Sequence, residues 1–156
     1  MKKVYQTIVD KGHGNCMQAV IASLFDLELS GVPNFLEYGD KWWESFDKFL
    51  WDRGLDFWYF NRRDEYSTEF LKELAHFDGG INGYLYGVVN SQTYEDTTHA
   101  IVIDLDLNII HDPNPNQRAL KLTPDDIIGF YLTKKIVIAE GNKIMLYDDY
   151  IKLDNN

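Results

Sequence analysis

Residues 14–25 read GNCMQAVIASLF, and their apolar side chains are spaced as on one face of a helix. The residues on that face are Val20, Ile21, Leu24 and Phe25. Asn15 is a favourable N-cap residue, and residues 11–14, KGHG, have the composition of a loop. The stretch therefore predicts a helix from Cys16 to Phe25, with Cys16 in its first turn behind a glycine-bearing loop.

Two further helices and one strand are predicted before residue 80. The spacing of aromatic residues favours a helix over Asp40–Trp51, and Ser67 or Thr68 is a suitable cap for another over Ser67–Phe77. Between them, Leu55–Phe60 is typical of a short strand. The predicted buried face of the second helix consists of Trp42, Trp43, Phe46, Phe49 and Leu50.

The second half of the chain changes to strand composition, rich in aromatic and β-branched residues. The predicted strands are Tyr84–Val89, His99–Ile103, Leu107–His111, Gly129–Ala139 and Lys143–Tyr150. The second and third pair as a hairpin across Asp104-Leu105-Asp106, and the last two pair across residues 140–142. N-terminal helices packed on a C-terminal antiparallel sheet make an α+β fold, which we expect to form a single domain over residues 1–156.

Composition and charge narrow the classes of partner. The chain is 45% hydrophobic and 15% aromatic, has no run of about 18 apolar residues, and begins without the apolar run of a secretion signal. These features predict a soluble, cytoplasmic protein without a membrane partner. A net charge of −10 with dispersed Lys and Arg argues against direct binding to a nucleic-acid backbone. The acidic surface either attracts a basic protein or only keeps the chain well solvated.

Cys16 is the only cysteine, so no disulfide can form within the chain. A lone cysteine is most often a small buried apolar residue. The other interpretation is a nucleophile, because the unpaired N–H groups and dipole at a helix N-terminus favour the thiolate. The position of Cys16 at a predicted helix start favours this second interpretation.

Two polar residues of the predicted hairpin suit a nucleophilic site. His99 begins one strand, and Asp112 follows the other in the sequence His-Asp-Pro-Asn-Pro at residues 111–115. In the predicted hairpin they are cross-strand neighbours, about 5 Å apart at Cβ. That is the relation between a base and the residue that orients it.

Three other residues have side chains suited to catalysis or to metal binding, Gln6, His13 and His111. Gln6 leads into the cysteine loop and is either a second donor to an oxyanion, beside backbone N–H groups of the loop that ends in Asn15, or an ordinary surface residue. His13 and His111 lie close in sequence to Cys16 and Asp112, but the set has no recognised zinc spacing, so we expect no metal and no cofactor. His111 alternates with Asp112 along a strand, which predicts the opposite orientation and a structural role.

The order of these motifs resembles a papain-like family of cysteine peptidase-like proteins from phages and bacteria. The resembling segments are Tyr5-Gln6-Thr7, Gly14-Asn15-Cys16, Ala22-Ser23-Leu24, Val32-Pro33, His99-Ala100-Ile101-Val102 and His111-Asp112-Pro113-Asn114-Pro115. They cover most of the chain in the family's order. The resemblance implies a papain-like fold with Cys16 as nucleophile, His99 as general base and acid, Asp112 orienting His99, and Gln6 donating to the oxyanion. The Gln-to-Cys separation is longer here than in papain.

Two classes of function follow. The first is a cysteine protease-like hydrolase or transferase with a Cys-His-Asp triad, acting on an amide, isopeptide or thioester carbonyl of a protein or peptide substrate. The second is a non-catalytic papain-like protein, in which a phage fold sequesters a host defence component, either a protein or a nucleotide signal. The pH dependence of Cys16 alkylation discriminates between them, because only an activated thiolate reacts well below pH 8.

Overall fold

The computed structural model describes residues 1–62, 66–78, 80–140 and 143–146. The helices are α1 (Cys16–Leu24), α2 (Trp42–Trp51) and α3 (Thr68–Asp78). The strands are β1 (Leu55–Asn61), β2 (Tyr84–Asn90), β3 (Thr98–Asp104), β4 (Ile109–His111), β5 (Ile127–Lys135), β6 (Val137–Glu140) and β7 (Lys143–Leu146). Each predicted helix is present within two residues of its expected bounds.

The main sheet has five strands in the order β1-β5-β2-β3-β4, and every neighbouring pair is antiparallel. The β3–β4 hairpin and the mixed α+β class are confirmed. The sheet is not built only from the C-terminal half, because β1 precedes α3 and occupies one edge. That residues 1–156 form a single domain stays a prediction.

Helices cover both faces of this sheet. One apolar cluster joins α1 and α2 to one face through Tyr86, Val88 and Val102, and a second joins Leu71 and Ala75 of α3 to the other face. Since both faces are buried, the central strands carry apolar residues at successive positions, as in Leu85–Val89 and Ala100–Ile103. The helix α1 packs directly against β3, and this contact sets the position of its N-terminus beside the start of that strand.

The buried face of α2 is narrower than its sequence predicts. Phe46, Phe49 and Leu50 are buried, but Trp43 is 51% exposed and Trp42 only partly covered. The start of the helix also differs from the prediction: residues 35–41 form short 3₁₀ turns on either side of a kink at Gly39 (φ +56°), and the α-helix begins only at Trp42. Aromatic spacing alone does not reveal that change of geometry.

The predicted strand Gly129–Ala139 is wrong as a single element. It divides at Ile136 into β5, which enters the main sheet between β1 and β2, and β6, which pairs with β7 in a separate two-stranded sheet. Hairpin pairing of β6 with β7 agrees with the prediction. The predicted turn residues Gly141 and Asn142, and the remainder of the predicted strand from Tyr147 to Tyr150, lie outside the described residues.

Within the described part of the chain, no single helix is long and apolar enough to cross a bilayer. One pair of helical segments, Cys16–Leu24 with Leu29–Trp51, reaches that length and composition only together, with a 92° bend between its members.

Candidate active site

Cys16 is the first residue of α1, and its side chain is partly exposed. Burial alone would raise the pKa of its thiol. The hydrogen bond and the charge of His99 oppose this, helped by hydrogen bonds from the backbone N–H groups of Ala100 and Met17, and the pKa is lowered below its ordinary value of 9.0. The sulfur at the helix start is therefore stabilised as a thiolate, the form that attacks a carbonyl.

His99 lies near the start of β3, and its side chain is 15% exposed. Its Nε2 is 2.6 Å from Oδ1 of Asp112. Burial disfavours the imidazolium, but the hydrogen bonds to Asp112 and Cys16 and the negative charges of both raise the pKa of His99 to about 9. At neutral pH the ring is therefore protonated and paired with acidic groups on two sides.

Asp112 is 1% exposed and immediately follows β4. Its Oδ1 accepts a hydrogen bond from the Asn114 N–H at 2.8 Å, and its Oδ2 accepts one from the Ala119 N–H at 2.7 Å. Burial would raise the pKa of Asp112, but the bond from His99 and these two N–H groups lower it below 3.8. Asp112 is thus a buried carboxylate whose charge is compensated on each oxygen.

The register of the β3–β4 hairpin differs from the expected one. Val102 pairs with His111, so continuing the register would set Asp112 opposite Ile101 rather than opposite His99. Asp112 is a diagonal neighbour on the same side of the ladder, two residues from the predicted position, within reach of a long side chain such as His. The predicted direct cross-strand pairing is wrong, while the predicted contact between the two side chains is confirmed.

The two ring nitrogens of His99 have separate partners. Because Asp112 occupies Nε2, the nitrogen available to the Cys16 sulfur is Nδ1. The arrangement Asp112–His99–Cys16 is therefore continuous through one imidazole. In it, a carboxylate orients the ring and the ring carries the proton beside the sulfur.

Gln6 is buried and lines the same cleft as Cys16 and His99. Its side-chain Nε2 donates to the Ile8 carbonyl at 3.1 Å, and its backbone N–H donates to the Pro113 carbonyl at 2.9 Å. The side-chain amide has a second N–H that is not used in the bond to Ile8. Gln6 is not an ordinary surface residue, and its backbone ties the N-terminal segment to the residue after Asp112.

Asn15 does not cap α1 with its side chain, contrary to the prediction from its sequence position. Its Oδ1 instead accepts hydrogen bonds from the backbone N–H groups of Thr7 and Ile8 at 3.0 and 2.9 Å, and its Nδ2 donates to Thr7 and Gln18. The Asn15 N–H is also engaged, by the Ile8 carbonyl. Asn15 thus fixes the Gln6-bearing segment against the cysteine loop, and its own N–H is not available to an oxyanion.

The backbone N–H of Cys16 makes no hydrogen bond to any residue that the structure describes. It belongs to the first turn of α1, where the first N–H groups have no partner within the helix. The Cys16 N–H and the second N–H of the Gln6 side-chain amide are therefore the two donors available to stabilise a developing oxyanion.

Cys16, His99 and Gln6 open into a cleft of about 400 Å³. One wall is the loop that precedes Cys16, and another is the β2–β3 loop, residues 91–97. The two walls meet where the Tyr94 hydroxyl donates to the Val9 carbonyl at 3.4 Å. A cleft of this size accommodates a side chain or a short extended segment rather than only water.

The other histidines take no part in the cleft. His111 is buried and its Nε2 contacts the Val4 carbonyl at 2.7 Å, which agrees with the predicted structural role. His76 pairs with Asp106 on the surface, and His13 lies exposed in the loop before Cys16. Among the residues described, no group of three or more His, Cys, Asp or Glu side chains is arranged to hold a metal ion.

Several residues of the site were not found from the sequence. The N–H groups that hold Asp112 are one example, although Asp-Pro-Asn at residues 112–114 is a turn signature that could have indicated the first. The bonds of Asn15 to Thr7 and Ile8 have no local signal, because they join segments that only the fold brings together. No local signal places the β2–β3 loop or Arg118 beside Cys16 either, although both line the cleft.

Comparison of the chain with models of protein families, with curated proteins and with solved structures finds no significant match.

Proposed function

We propose that this protein is a papain-like, cysteine-dependent hydrolase or transferase acting on an amide, isopeptide or thioester carbonyl. The observation that carries the proposal is the continuous contact from Asp112 through His99 to Cys16, with the thiol pKa lowered and the imidazole pKa raised to about 9. A cysteine buried only for packing needs neither the His99 imidazole nor the Asp112 carboxylate beside it. The proposal includes membership of the phage and bacterial family that the motifs resemble, and a cytoplasmic location.

The reaction begins with the Cys16 thiolate and the His99 imidazolium as an ion pair. The sulfur attacks the carbonyl carbon, and the electron pair of the C=O bond moves to oxygen, where the Cys16 N–H and the Gln6 amide stabilise the charge. His99 then gives its proton to the leaving nitrogen or sulfur as that bond breaks, which leaves an acyl-thioester on Cys16. The now neutral His99 takes a proton from water as the water attacks the thioester. The acid is released, and the Cys16 thiolate and the His99 imidazolium are restored. In a transferase, a second nucleophile replaces water.

Asp112 acts through His99 rather than on the substrate. Its carboxylate is held on both oxygens by backbone N–H groups, so it does not rotate away when the ring changes charge. Its negative charge favours the imidazolium, and its contact with Nε2 keeps Nδ1 directed at the sulfur. These parts serve peptidases, deamidases and acyl transferases alike, and the substrate in each case is a protein or peptide.

The test is the pH dependence of Cys16 alkylation by iodoacetamide, followed by intact-mass spectrometry. We expect fast alkylation at pH 6–7, where a thiol with the ordinary pKa of 9.0 is only about 1% ionised or less. His99→Ala should slow the reaction at pH 7 by about tenfold or more, because burial then acts on the thiol without the imidazolium.

His76→Ala is the matched control, since His76 pairs with the surface residue Asp106 and does not line the cleft. Its alkylation profile should equal that of the unmodified protein. Alkylation of Cys16 that rises only above pH 8, or that is unaffected by His99→Ala, would contradict the proposal. Such a result would favour the binding alternative, in which the fold sequesters a host protein or nucleotide without turnover.

Once an activated thiolate is demonstrated, the substrate can be sought with the protein itself. Cys16→Ala keeps the cleft and removes the nucleophile, so cross-linking in the host cell should retain bound substrate that the active protein releases. Partners enriched on Cys16→Ala but not on the active protein are substrate candidates. Partners enriched equally on both support the binding alternative.

A further inference from the structure

Arg118 stands out among the residues that line the cleft because its charge makes no ion pair with any residue that the structure describes. The other two arginines in the described part of the chain are both engaged. Arg62 pairs with Asp125 at 3.0 Å, and Arg53 lies 3.6 Å above the Phe49 ring and donates to the Phe49 carbonyl. Arg118 has no carboxylate within ion-pair distance among the described residues. The one side-chain hydrogen bond that it makes within this part of the chain is a long one, from Nη1 to the Thr93 hydroxyl at 3.4 Å.

The backbone beside Arg118 is fixed relative to the proposed reaction centre. The next residue, Ala119, is buried and donates its N–H to Asp112 at 2.7 Å. The preceding Gln117, in the left-handed region at φ +48°, directs the chain into the 3₁₀ turn that begins at Arg118. The guanidinium therefore extends from a backbone one residue away from the group that holds the Asp112 carboxylate.

The side chain itself is held by few contacts. Arg118 is exposed, and its five N–H donors are almost entirely unused by the protein. A guanidinium with this geometry binds a carboxylate through two parallel hydrogen bonds. In a chain with a net charge of −10, an anionic ligand needs such a local cation. Apart from His99, Arg118 is the only cationic side chain among the described residues that line the cleft.

Besides the buried Asp112, two exposed carboxylates line the cleft, those of Asp10 and Asp96. They flank the contact between Tyr94 and Val9, whereas Arg118 contacts the neighbouring Thr93. Asp10 already accepts the N–H of Lys11 at 2.7 Å. Because these two groups would repel a ligand that is anionic along its whole length, the charge pattern favours a single carboxylate beside Arg118 over a polyanion.

We propose that Arg118 binds a carboxylate of the acyl substrate and thereby determines specificity, so that the preferred substrate is a protein or peptide with an acidic side chain or a free C-terminus close to the cleaved bond. This inference rests on the proposed function, because it takes Cys16 as the point of attack.

The experiment uses reagents that alkylate Cys16 and differ only in a distant charge. N-iodoacetylglycine, N-iodoacetyl-β-alanine and N-iodoacetyl-γ-aminobutyrate each carry a carboxylate at a different distance, and their methylamides are neutral twins. Second-order rates are measured by intact-mass spectrometry at low ionic strength. We expect at least one of the three carboxylates to react about fivefold faster than its neutral twin, the effect of an ion pair at a partly exposed site.

The variants assign that preference to one side chain. Arg118→Gln should bring the ratio of anionic to neutral rates to one or below, and Arg118→Lys should retain part of it as a point charge without the planar fork. Arg62→Gln makes the same change in net charge away from the cleft and should leave the ratio unchanged. Loss of the preference in 0.5 M salt would agree with an ion pair.

The outcomes separate this inference from the proposed function. Slow reaction of the neutral reagents at neutral pH would count against an activated Cys16. If the neutral reagents alkylate Cys16 fast and the carboxylates react no faster, the role of Arg118 alone is overturned. The same holds if the carboxylates react faster and Arg118→Gln keeps that preference. A faster reaction with an amine-terminated reagent would also overturn it and assign the charge selection to Asp10 and Asp96.

Discussion

Asp112 shows how much of the site depends on a single carboxylate. Its Oδ1 meets both the His99 ring and the Asn114 N–H, and its Oδ2 meets the Ala119 N–H. The same group therefore holds the imidazole, the turn after β4 and the segment that carries Arg118. A substitution of Asp112 should therefore change both the charge on His99 and the stability of the fold.

Asp112→Asn replaces this carboxylate with a neutral group of the same shape. We expect the pKa of His99 to fall from about 9 toward its ordinary value, because the charge that favours the imidazolium is removed. The variant should also lose about 1–3 kcal/mol of unfolding free energy, since an amide offers one acceptor oxygen where two N–H groups need acceptors. NMR titration of the His99 ring and denaturant unfolding measure the two effects.

Asp104→Asn is the control for the stability effect. Asp104 also accepts backbone N–H groups, from Asp106 and Asn108, but does not contact His99. It should lower stability by less, because the site is less buried, and leave the His99 titration unchanged. A His99 pKa that stays near 9 in Asp112→Asn would contradict the role assigned to Asp112.

At the scale of elements, the N-terminal segment connects the two halves of the site. His111 contacts the Val4 carbonyl, the Gln6 N–H binds the Pro113 carbonyl, and Asn15 binds the N–H groups of Thr7 and Ile8. The segment is thus fixed to the chain around Asp112 at one end and to the cysteine loop at the other. Its position, and that of the Gln6 amide, depends on a buried asparagine.

Asn15→Ala should release this segment without disturbing the ion pair. We expect faster hydrogen exchange at the amides of Thr7 and Ile8 and a loss of about 1–3 kcal/mol of unfolding free energy, because two N–H groups lose their acceptor. The pH profile of Cys16 alkylation should keep its shape, since no contact of His99 is removed. Hydrogen exchange with mass spectrometry and the iodoacetamide assay measure these outcomes.

Asn108→Ala is a suitable comparison, because it removes an asparagine side-chain bond to Asp104, away from the cleft and from the N-terminal segment. It should leave exchange at Thr7 and Ile8 unaltered. Unchanged exchange in Asn15→Ala, or an alkylation profile shifted as in His99→Ala, would show that Asn15 does not act by holding the N-terminal segment.

What the sequence could predict at this scale was local. Periodicity placed α1, α2 and α3, and strand composition placed β1 to β4, because each signal lies within about ten residues. The contact between His99 and Asp112 followed from a short hairpin, although the register was off by two residues. The insertion of β5 between β1 and β2 and the bonds of Asn15 join residues distant in sequence, and no local pattern records such pairings.

At the scale of the whole molecule, the two covered faces of the sheet explain why the reactive pair can be partly buried. The helix α1 packs on β3, so the thiol at its start and the ring near the start of the strand are brought together by the core itself. Burial then acts against both charges, and only their pairing with each other and with Asp112 reverses the pKa shifts. The stability of the fold is therefore coupled to the ionisation of the site.

This coupling gives a test that needs no substrate, the difference in unfolding free energy between the unmodified protein and Cys16→Ser as a function of pH. The thiol pKa is lowered in the folded state, so between that pKa and the ordinary value of 9.0 the unfolded chain binds the extra proton. The stabilisation from the thiolate is then fully present above 9.0, declines by up to about 1.4 kcal/mol per pH unit on acidification, and is lost below the folded pKa. The other titrating groups are common to both proteins except His99, whose pKa of about 9 depends partly on Cys16. The free-energy difference between the proteins should therefore rise with pH in mild acid. It should level off at the pH where His99 of Cys16→Ser loses its proton, because above that pH the falling contribution of the imidazolium in the unmodified protein offsets the rising contribution of the thiolate. A cysteine buried only for packing has a raised pKa in the folded state. The free-energy difference between the two proteins would then be flat up to pH 9 and fall at higher pH. Such a profile, measured by urea titrations at several pH values, would exclude the ion pair.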